Sequence, residues 1–109
     1  MLARGNRIVE ADDFRAVVRR GQKVVTDTMI GYRIEADGCR VGIVVTAKTG
    51  NAVVRNALRR RTRAIAHALI RDGGLSGDVV FRFRNTSTVP SFAEIQGDVS
   101  RCATGWGLS

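Results

Sequence analysis

Residues 51–71 form the longest amphipathic segment of the chain, and this segment constrains the fold more than any other. Placed at 100° per residue, its apolar side chains fall on one side of a helix: Val54, Ala57, Leu58, Ile65, Ala68 and Leu69. Asn51 is a favourable N-cap, and the Asp72-Gly73-Gly74 sequence is typical of a helix end. A helix with one apolar side has to bury that side against another layer, so the flanking segments should supply a sheet.

The flanking segments show both strand and helix periodicity. The predicted elements are a helix over 12–20 capped by Asp12 or Asp13, strands over 24–25, 28–34 and 40–46, the long helix, a strand over 78–84, and a last helix opened by a Ser91–Glu94 capping box. Residues 104–107 are predicted to be a frayed end. This order, α-β-β-β-α-β-α, predicts an α+β fold, a small two-layer sandwich with residues 1–109 as a single domain.

The long helix also carries most of the net charge. The formal charge of the chain is +8, and the interval between Asp37 and Asp72 holds eight basic residues and no acidic one. Arg55, Asn56, Arg59 and Arg63 fall on the outward arc of the helix, and Arg60 borders it. Like charges at i and i+4 destabilise a helix by a few tenths of a kcal/mol per pair, so this face is predicted to meet a polyanion.

The alternative is a helix whose charged face is simply solvated. Arg61 falls inside the apolar stripe, and its role is left open.

Two aromatic side chains allow two interpretations each. Phe14 shares a helical stripe with Val17 and Val18, and Tyr32 lies inside the second predicted strand. Both residues could pack in the core, or they could be exposed platforms on which unpaired bases stack.

The sequence contains no recognisable catalytic constellation. Its one histidine, His67, lies on the long helix, and its carboxylates are dispersed apart from Asp12-Asp13. Cys39 and Cys102 lack metal-ligand spacing and are expected to be reduced, because no apolar export signal is present. No stretch is apolar enough to span a membrane. These observations predict a cytoplasmic binding module with no catalytic or metal-ligating residues of its own.

Residues 52–63 resemble the arginine-rich signature of the bacterial ribonuclease P protein subunit. In that family an Arg-Asn pair is followed at fixed spacing by Lys/Arg-Arg and a further Arg. The matching residues are Arg55, Asn56, Arg59, Arg60 and Arg63. Weaker matches extend over most of the chain: Asn6-Arg7-Ile8, Asp13-Phe14 with Val17, Arg40-Val41-Gly42-Ile43, Asp78-Val79-Val80 and Ser91-Phe92-Ala93-Glu94.

The resemblance implies a fold similar to the second domain of ribosomal protein S5, with a left-handed β-α-β crossover. It implies a subunit of an endoribonuclease that removes the 5′ leader of precursor tRNA, in which the catalytic RNA carries out the chemistry with Mg²⁺ that is bound mainly by the RNA. The five signature residues would contact the catalytic RNA, with Arg7 as an additional contact. Phe14, Tyr32 and Lys48 would line a cleft for the single-stranded leader. No membrane and no obligate protein partner are implied.

Some residues depart from the family pattern. Val18 stands where an aromatic residue is common, Ala47 replaces a lysine, and Arg82 replaces an apolar strand residue. These departures concern the leader contacts. The alternative function is a general RNA- or DNA-binding accessory protein of ribosomal type, and a third possibility is a stand-alone nuclease.

Overall fold

The computed structural model describes residues 4–86 and 88–108. A short 3-10 turn at Arg4–Asn6 precedes three helices and four strands: α1 (Ala11–Arg20), β1 (Gln22–Val25), β2 (Met29–Ile34), β3 (Cys39–Val44), α2 (Ala52–Arg71), β4 (Gly77–Phe83) and α3 (Phe92–Gly105). Each helix and strand expected from the sequence pattern is present, with ends shifted by one or two residues. The protein is therefore a small α+β fold.

Local sequence signals set two of the three helix starts. The Asn51 side chain accepts a hydrogen bond from the Val54 amide at 3.0 Å, and Ser91 and Glu94 form the expected capping box. The prediction for α1 was wrong, because this helix begins at Ala11 with Glu10 at the N-cap and without a side-chain cap.

The four strands form one mixed sheet in the order β1-β2-β4-β3. β2 pairs antiparallel with both β1 and β4, whereas β3 pairs parallel with β4. A parallel pair needs a crossover connection, and α2 supplies it. The long basic helix is thus fixed to the sheet at both of its ends.

Helices cover both faces of the sheet. The larger core lies on one face, where α2 and α3 pack against strand residues that include Met29, Val79 and Phe81. Successive strand residues point to opposite faces, so Tyr32 and Val80 lie on the other face, where they pack with Val17 of α1. The predicted two-layer arrangement was therefore wrong: the alternating strands are apolar on both faces over part of their length, and α1 forms a third layer.

The C-terminal end of α3 is part of the core. Trp106 is only 7% exposed, its ring centroid lies 6.1 Å from that of Phe81, and its indole N–H donates to the Gln22 carbonyl at 2.8 Å. Gly31 makes room for this ring, since a Cβ at Gly31 would lie 2.9 Å from the Trp106 ring. The prediction of a frayed end over 104–107 was wrong. Burial of the Trp106 ring stabilises this end of the helix, although the neighbouring glycines have weak helix propensity.

Cys39 and Cys102 are both free and buried, and burial raises the pKa of each thiol to about 11. In the part of the chain that the structure describes, no helix is long and apolar enough to cross a membrane.

Candidate nucleic-acid interface

The outward side of α2 presents one continuous polar surface, here called the arginine face: Arg55, Asn56, Arg59, Arg60 and Arg63. The helix is held by a buried stripe on its opposite side that includes Leu58, Thr62 and Ile65. Asn56 and Arg60 are exposed, while Arg55, Arg59 and Arg63 are half-buried. The structure therefore brings together all five residues that the sequence assigned to RNA binding.

The arginine face is crowded with like charge. Burial lowers the pKa of Arg63, and the nearby cations of Arg7 and Arg59 lower it further. Arg7 precedes α1 and forms an isolated β-bridge with Val41 of β3. With Arg60 and Arg63 it lines a notch of about 280 Å³ beside α2. The additional residue proposed from the sequence thus extends the arginine face.

Carboxylates do not neutralise this face. Between residues 4 and 108, leaving out residue 87, no ion pair involves Arg55, Arg59, Arg60 or Arg63. Arg59 donates one long hydrogen bond of 3.4 Å to the Asn56 side chain, which orients the guanidinium without cancelling its charge. An arginine keeps its charge at all physiological pH values, so the like charge on this face persists throughout that range.

Other arginines are structural, and the sequence did not distinguish them. Arg40 makes a bidentate contact with Asp78, with N–O distances of 3.0 and 2.8 Å, and a third contact with Asp13 of α1 at 3.2 Å. The hydrogen bond to Asp78 raises the pKa of Arg40. Arg33 is buried and donates to the Ser76 carbonyl at 2.7 Å.

Arg61 also has a structural contact. Its guanidinium donates to the Pro90 carbonyl at 3.1 Å, which ties α2 to the loop before α3. The apolar stripe passes beside Arg61 through Thr62, whose hydroxyl donates to the Leu58 carbonyl. The position of Arg61 is thus explained by a contact 29 residues away along the chain.

A second basic surface lies on the sheet face that carries α1. It is a cavity of about 570 Å³, here called the sheet cavity, and its walls include Ile30, Ala47, Lys48, Arg82, Phe83 and Arg84. None of the residues that line it is acidic. Lys48, predicted to line a leader cleft, is exposed in the loop between β3 and α2 and forms part of this cavity.

The two aromatic residues assigned to the cleft differ in exposure. Phe14 is half-buried and lies against Gly42, where a Cβ would come within 2.4 Å of the Phe14 ring. With Val18 it borders an open hollow on α1 that is flanked by Arg15 and Arg19. Tyr32 is only 7% exposed. The prediction of an exposed Tyr32 platform was wrong, because α1 packs over this part of the sheet and buries the ring.

No metal centre emerges from the described residues. Within residues 4–86 and 88–108, no three His, Cys, Asp or Glu side chains are grouped so that they could hold a metal ion.

Comparison with known proteins gives one consistent result. The family model described as Ribonuclease P matches residues 2–105. A "Ribonuclease P protein component" from Gluconacetobacter diazotrophicus is 36% identical over 105 residues, which cover 93% of this chain and 90% of that protein. One from Nocardioides sp. is 33% identical and covers 94% of this chain and 92% of that protein. The solved structure of Staphylococcus aureus RNase P protein has a TM-score of 0.82 at 24% identity, covering 94% of this chain and 96% of that one.

Proposed function

The chain belongs to the ribonuclease P family, and we propose that as the protein subunit of this ribonucleoprotein it binds two RNAs on two separate surfaces. The arginine face of α2 binds the catalytic RNA. The sheet face beside α1, including Phe14 and Lys48, binds the single-stranded 5′ leader of precursor tRNA.

The crowding of unpaired arginines on one rigid helix is the observation that carries the first assignment. Each guanidinium presents a planar fork of donors that fits phosphate oxygens in a bidentate manner. The pKa of Arg63 is lowered first by burial and then by the nearby cations of Arg7 and Arg59, and a bound phosphate would offset the repulsion from these cations. Each phosphate neutralised on a duplex should contribute about 0.9 to the slope of log affinity against log salt concentration.

In this proposal the catalytic RNA, not the protein, carries out hydrolysis. The described residues contain no cluster of carboxylates that fits Mg²⁺. The proposal therefore assigns Mg²⁺ mainly to the RNA. The protein supplies positive charge and holds the RNA and the leader together, and its work lies in the cytoplasm, where precursor tRNA is made.

Cleavage of precursor tRNA at low Mg²⁺ tests the proposal. Catalytic RNA alone should cleave slowly under these conditions, and adding the protein should accelerate removal of the 5′ leader. The protein without catalytic RNA should show no cleavage. If the protein left the rate unchanged while it bound bulk tRNA and duplex RNA as tightly as the catalytic RNA, a general accessory binder would replace the present proposal.

Substituting Phe14 tests the leader surface. Phe14→Ala should reduce the preference for leader-bearing over leaderless tRNA by roughly fivefold or more, because base stacking contributes about 1–3 kcal/mol where it occurs. Phe92→Ala is the matched control, since Phe92 is 45% exposed at the start of α3, which packs on the opposite face of the sheet from α1. A lower melting temperature with intact leader preference would assign Phe14 to packing alone.

The family also implies the finer fold class. We propose a fold similar to the second domain of ribosomal protein S5, with a left-handed β3-α2-β4 crossover, an exception to the usual handedness of such units. Residues 1–109 would act as a single RNA-binding domain without an obligate protein partner. A crystal structure of the protein would decide the handedness, and sedimentation of the purified protein would reveal a partner or a dimer.

A further inference from the structure

One contact at the junction of α1 and the sheet lies directly beside a residue assigned to leader binding. Asp13 of α1 accepts a hydrogen bond from the Arg40 guanidinium of β3 at 3.2 Å, and the next residue along the helix is Phe14. The preceding residue, Asp12, pairs instead with Arg15 of the same helix. The ion pair of Asp13 therefore joins α1 to the sheet, whereas that of Asp12 lies within α1.

Arg40 is a rigid anchor for this contact. Its Nε and Nη2 atoms donate to the two carboxylate oxygens of Asp78 at 3.0 and 2.8 Å, and Asp78 lies opposite Arg40 in the parallel pair of β3 and β4. A bidentate pair of this kind fixes the plane of the guanidinium. The remaining nitrogen, Nη1, is the one that donates to Asp13. Two strands of the sheet thus hold the first turn of α1 in place.

The same strand provides the surface on which the Phe14 ring lies. Gly42 is two residues beyond Arg40 on β3, so both residues present the same face of the sheet to α1. A Cβ at Gly42 would come within 2.4 Å of the Phe14 ring, so the ring touches the backbone of the strand. Phe14 is half-buried, and its exposed part borders an open hollow on α1. Asp13 and Phe14 are therefore both held from β3, one by charge and the other by close packing.

We infer that Asp13, Arg40 and Gly42 position the Phe14 ring for the leader without contacting RNA themselves. The role assigned to these three residues rests on the proposed function and explains how one of its leader contacts is placed. The charge of Asp13 gives this positioning role a distinct signature. A carboxylate close to a bound polyanion repels it, so removal of Asp13 would strengthen leader binding if only charge mattered. If Asp13 holds the ring in place, the same change weakens leader binding instead.

Leader preference is the property that tests this role. It is the ratio of the affinities for precursor tRNA with and without its leader, measured for the complex of protein and catalytic RNA. Asp13→Ala should reduce this ratio roughly threefold, a part of the loss expected when the aromatic ring itself is removed. Affinity for catalytic RNA alone should stay close to that of wild type, because Asp13 lies on α1 and not on the arginine face.

The matched control is Asp12→Ala, which removes the same charge from the adjacent residue of the first helical turn. The Asp12 side chain is 88% exposed, and its ion pair lies within α1. Its substitution affects the helix dipole in a similar way, but it should leave the leader preference unchanged or slightly higher. Equal losses in Asp12→Ala and Asp13→Ala would mean that only the charge of the first turn matters, and they would overturn the role of Asp13.

A double-mutant cycle with Phe14→Ala tests whether the effect passes through the ring. In a protein that already carries Phe14→Ala, Asp13→Ala should cause no further loss of leader preference. Gly42→Ala should follow the same pattern, because its added Cβ displaces the ring only where the ring is present. Partial unfolding lowers the affinity for both tRNAs equally, so reduced stability alone leaves the ratio unchanged. Thermal melting of each variant establishes its folded fraction.

Failure of the positioning role is distinguishable from failure of the proposed function. If Phe14→Ala lost the leader preference and folded Asp13→Ala kept it, Asp13 would have no positioning role, while leader binding by Phe14 would stand. Equal effects of Asp13→Ala with and without the ring would also overturn that role. If the wild-type complex had no leader preference, or Phe14→Ala retained it, the proposed leader surface would be wrong and the positioning role would fail with it.

Discussion

Arg40 and Arg63 are both partly buried arginines, but their neighbours carry opposite charges. At the junction of α1 and the sheet, Arg40 contacts Asp13 and Asp78, and the hydrogen bond to Asp78 raises its pKa. On the arginine face of α2, Arg63 has Arg7 and Arg59 nearby, and its pKa is lowered, first by burial and then by these cations. Carboxylates of the protein itself balance the charge of Arg40, whereas among the described residues no ion pair balances the charge of Arg63.

The comparison shows that two arginines of similar exposure can have neighbours of opposite charge, and the proposed function assigns a structural role to the first and an RNA-binding role to the second. It predicts that substitutions in the two regions affect different properties. Changes on the arginine face should reduce RNA affinity and leave folding intact. Changes at the junction should reduce the free energy of unfolding.

The largest effect is expected on the arginine face. A variant with both Arg59→Ala and Arg63→Ala should bind catalytic RNA roughly 30-fold more weakly, which corresponds to about 2 kcal/mol. Its slope of log affinity against log salt concentration should decrease by about 1.8, because two phosphate contacts are lost. A salt titration of binding measures both quantities.

The control for this variant is Arg71→Ala, which removes a charge from the end of the same helix. Arg71 lies beside Asp72, and its side chain is 67% exposed. Its substitution should leave affinity and slope nearly unchanged. Equal losses in both variants would mean that only the net charge matters, and the arginine face would have no special role.

An effect of similar size, but on stability, is expected at the junction. Arg40→Ala leaves the Asp78 side chain, 10% exposed, without its bidentate partner. Removing one partner of a partly buried charged pair should cost about 2 kcal/mol of unfolding free energy, below the value for full burial because Arg40 is 39% exposed. Chemical denaturation measures this loss.

The matched control is the surface pair of Arg15 and Asp12, whose side chains are 67% and 88% exposed. Arg15→Ala should cost less than about 0.5 kcal/mol, because exposed ion pairs contribute little. If Arg15→Ala and Arg40→Ala were equally destabilising, the junction would not be the special contact described here.

A third prediction concerns Asp98, which joins α3 to the start of β2. Burial alone would raise its pKa, but hydrogen bonds from the Thr28 hydroxyl and amide, the Thr26 hydroxyl and Arg101 lower it overall. A carboxyl with a lowered folded-state pKa stabilises the fold above its unfolded pKa of about 3.9, and this contribution is lost as the pH falls through the folded value. Unfolding free energy should therefore decrease below about pH 4.

Asp98→Asn should remove much of this pH dependence and cost about 1–2 kcal/mol at neutral pH, since a neutral amide is a weaker acceptor. Asp72→Asn, at a side chain 68% exposed, is the control and should change the unfolding free energy by less than about 0.5 kcal/mol. An acid transition that is identical in wild type and Asp98→Asn would contradict the role given to Asp98.

The features that the sequence predicted correctly are local ones. The Asn51 cap and the Ser91–Glu94 capping box join residues three apart, so a short stretch of sequence contains both partners. The grouping of Arg55, Arg59 and Arg63 follows equally from helix geometry.

The features that it missed depend on partners far away in the chain. Trp106 donates to the carbonyl of Gln22, Arg40 is 38 residues from Asp78, and Arg61 contacts Pro90. Periodicity does not reveal which distant segments meet, so the sequence predicts a frayed end where Trp106 is in fact buried. The sequence leaves two interpretations of Tyr32 open, because its burial depends on where α1 packs.

The most direct test of the central claim measures both properties for two equivalent substitutions, Arg40→Ala and Arg59→Ala. Unfolding free energy and affinity for catalytic RNA would be determined for each, with binding measured at a temperature where both variants are folded. Arg40→Ala should lose stability and keep its affinity within about twofold; Arg59→Ala should keep its stability within about 0.5 kcal/mol and lose affinity roughly fivefold. If both substitutions reduced the same property by similar amounts, the charge of the neighbours would not separate structural from RNA-binding arginines, and the account would be wrong.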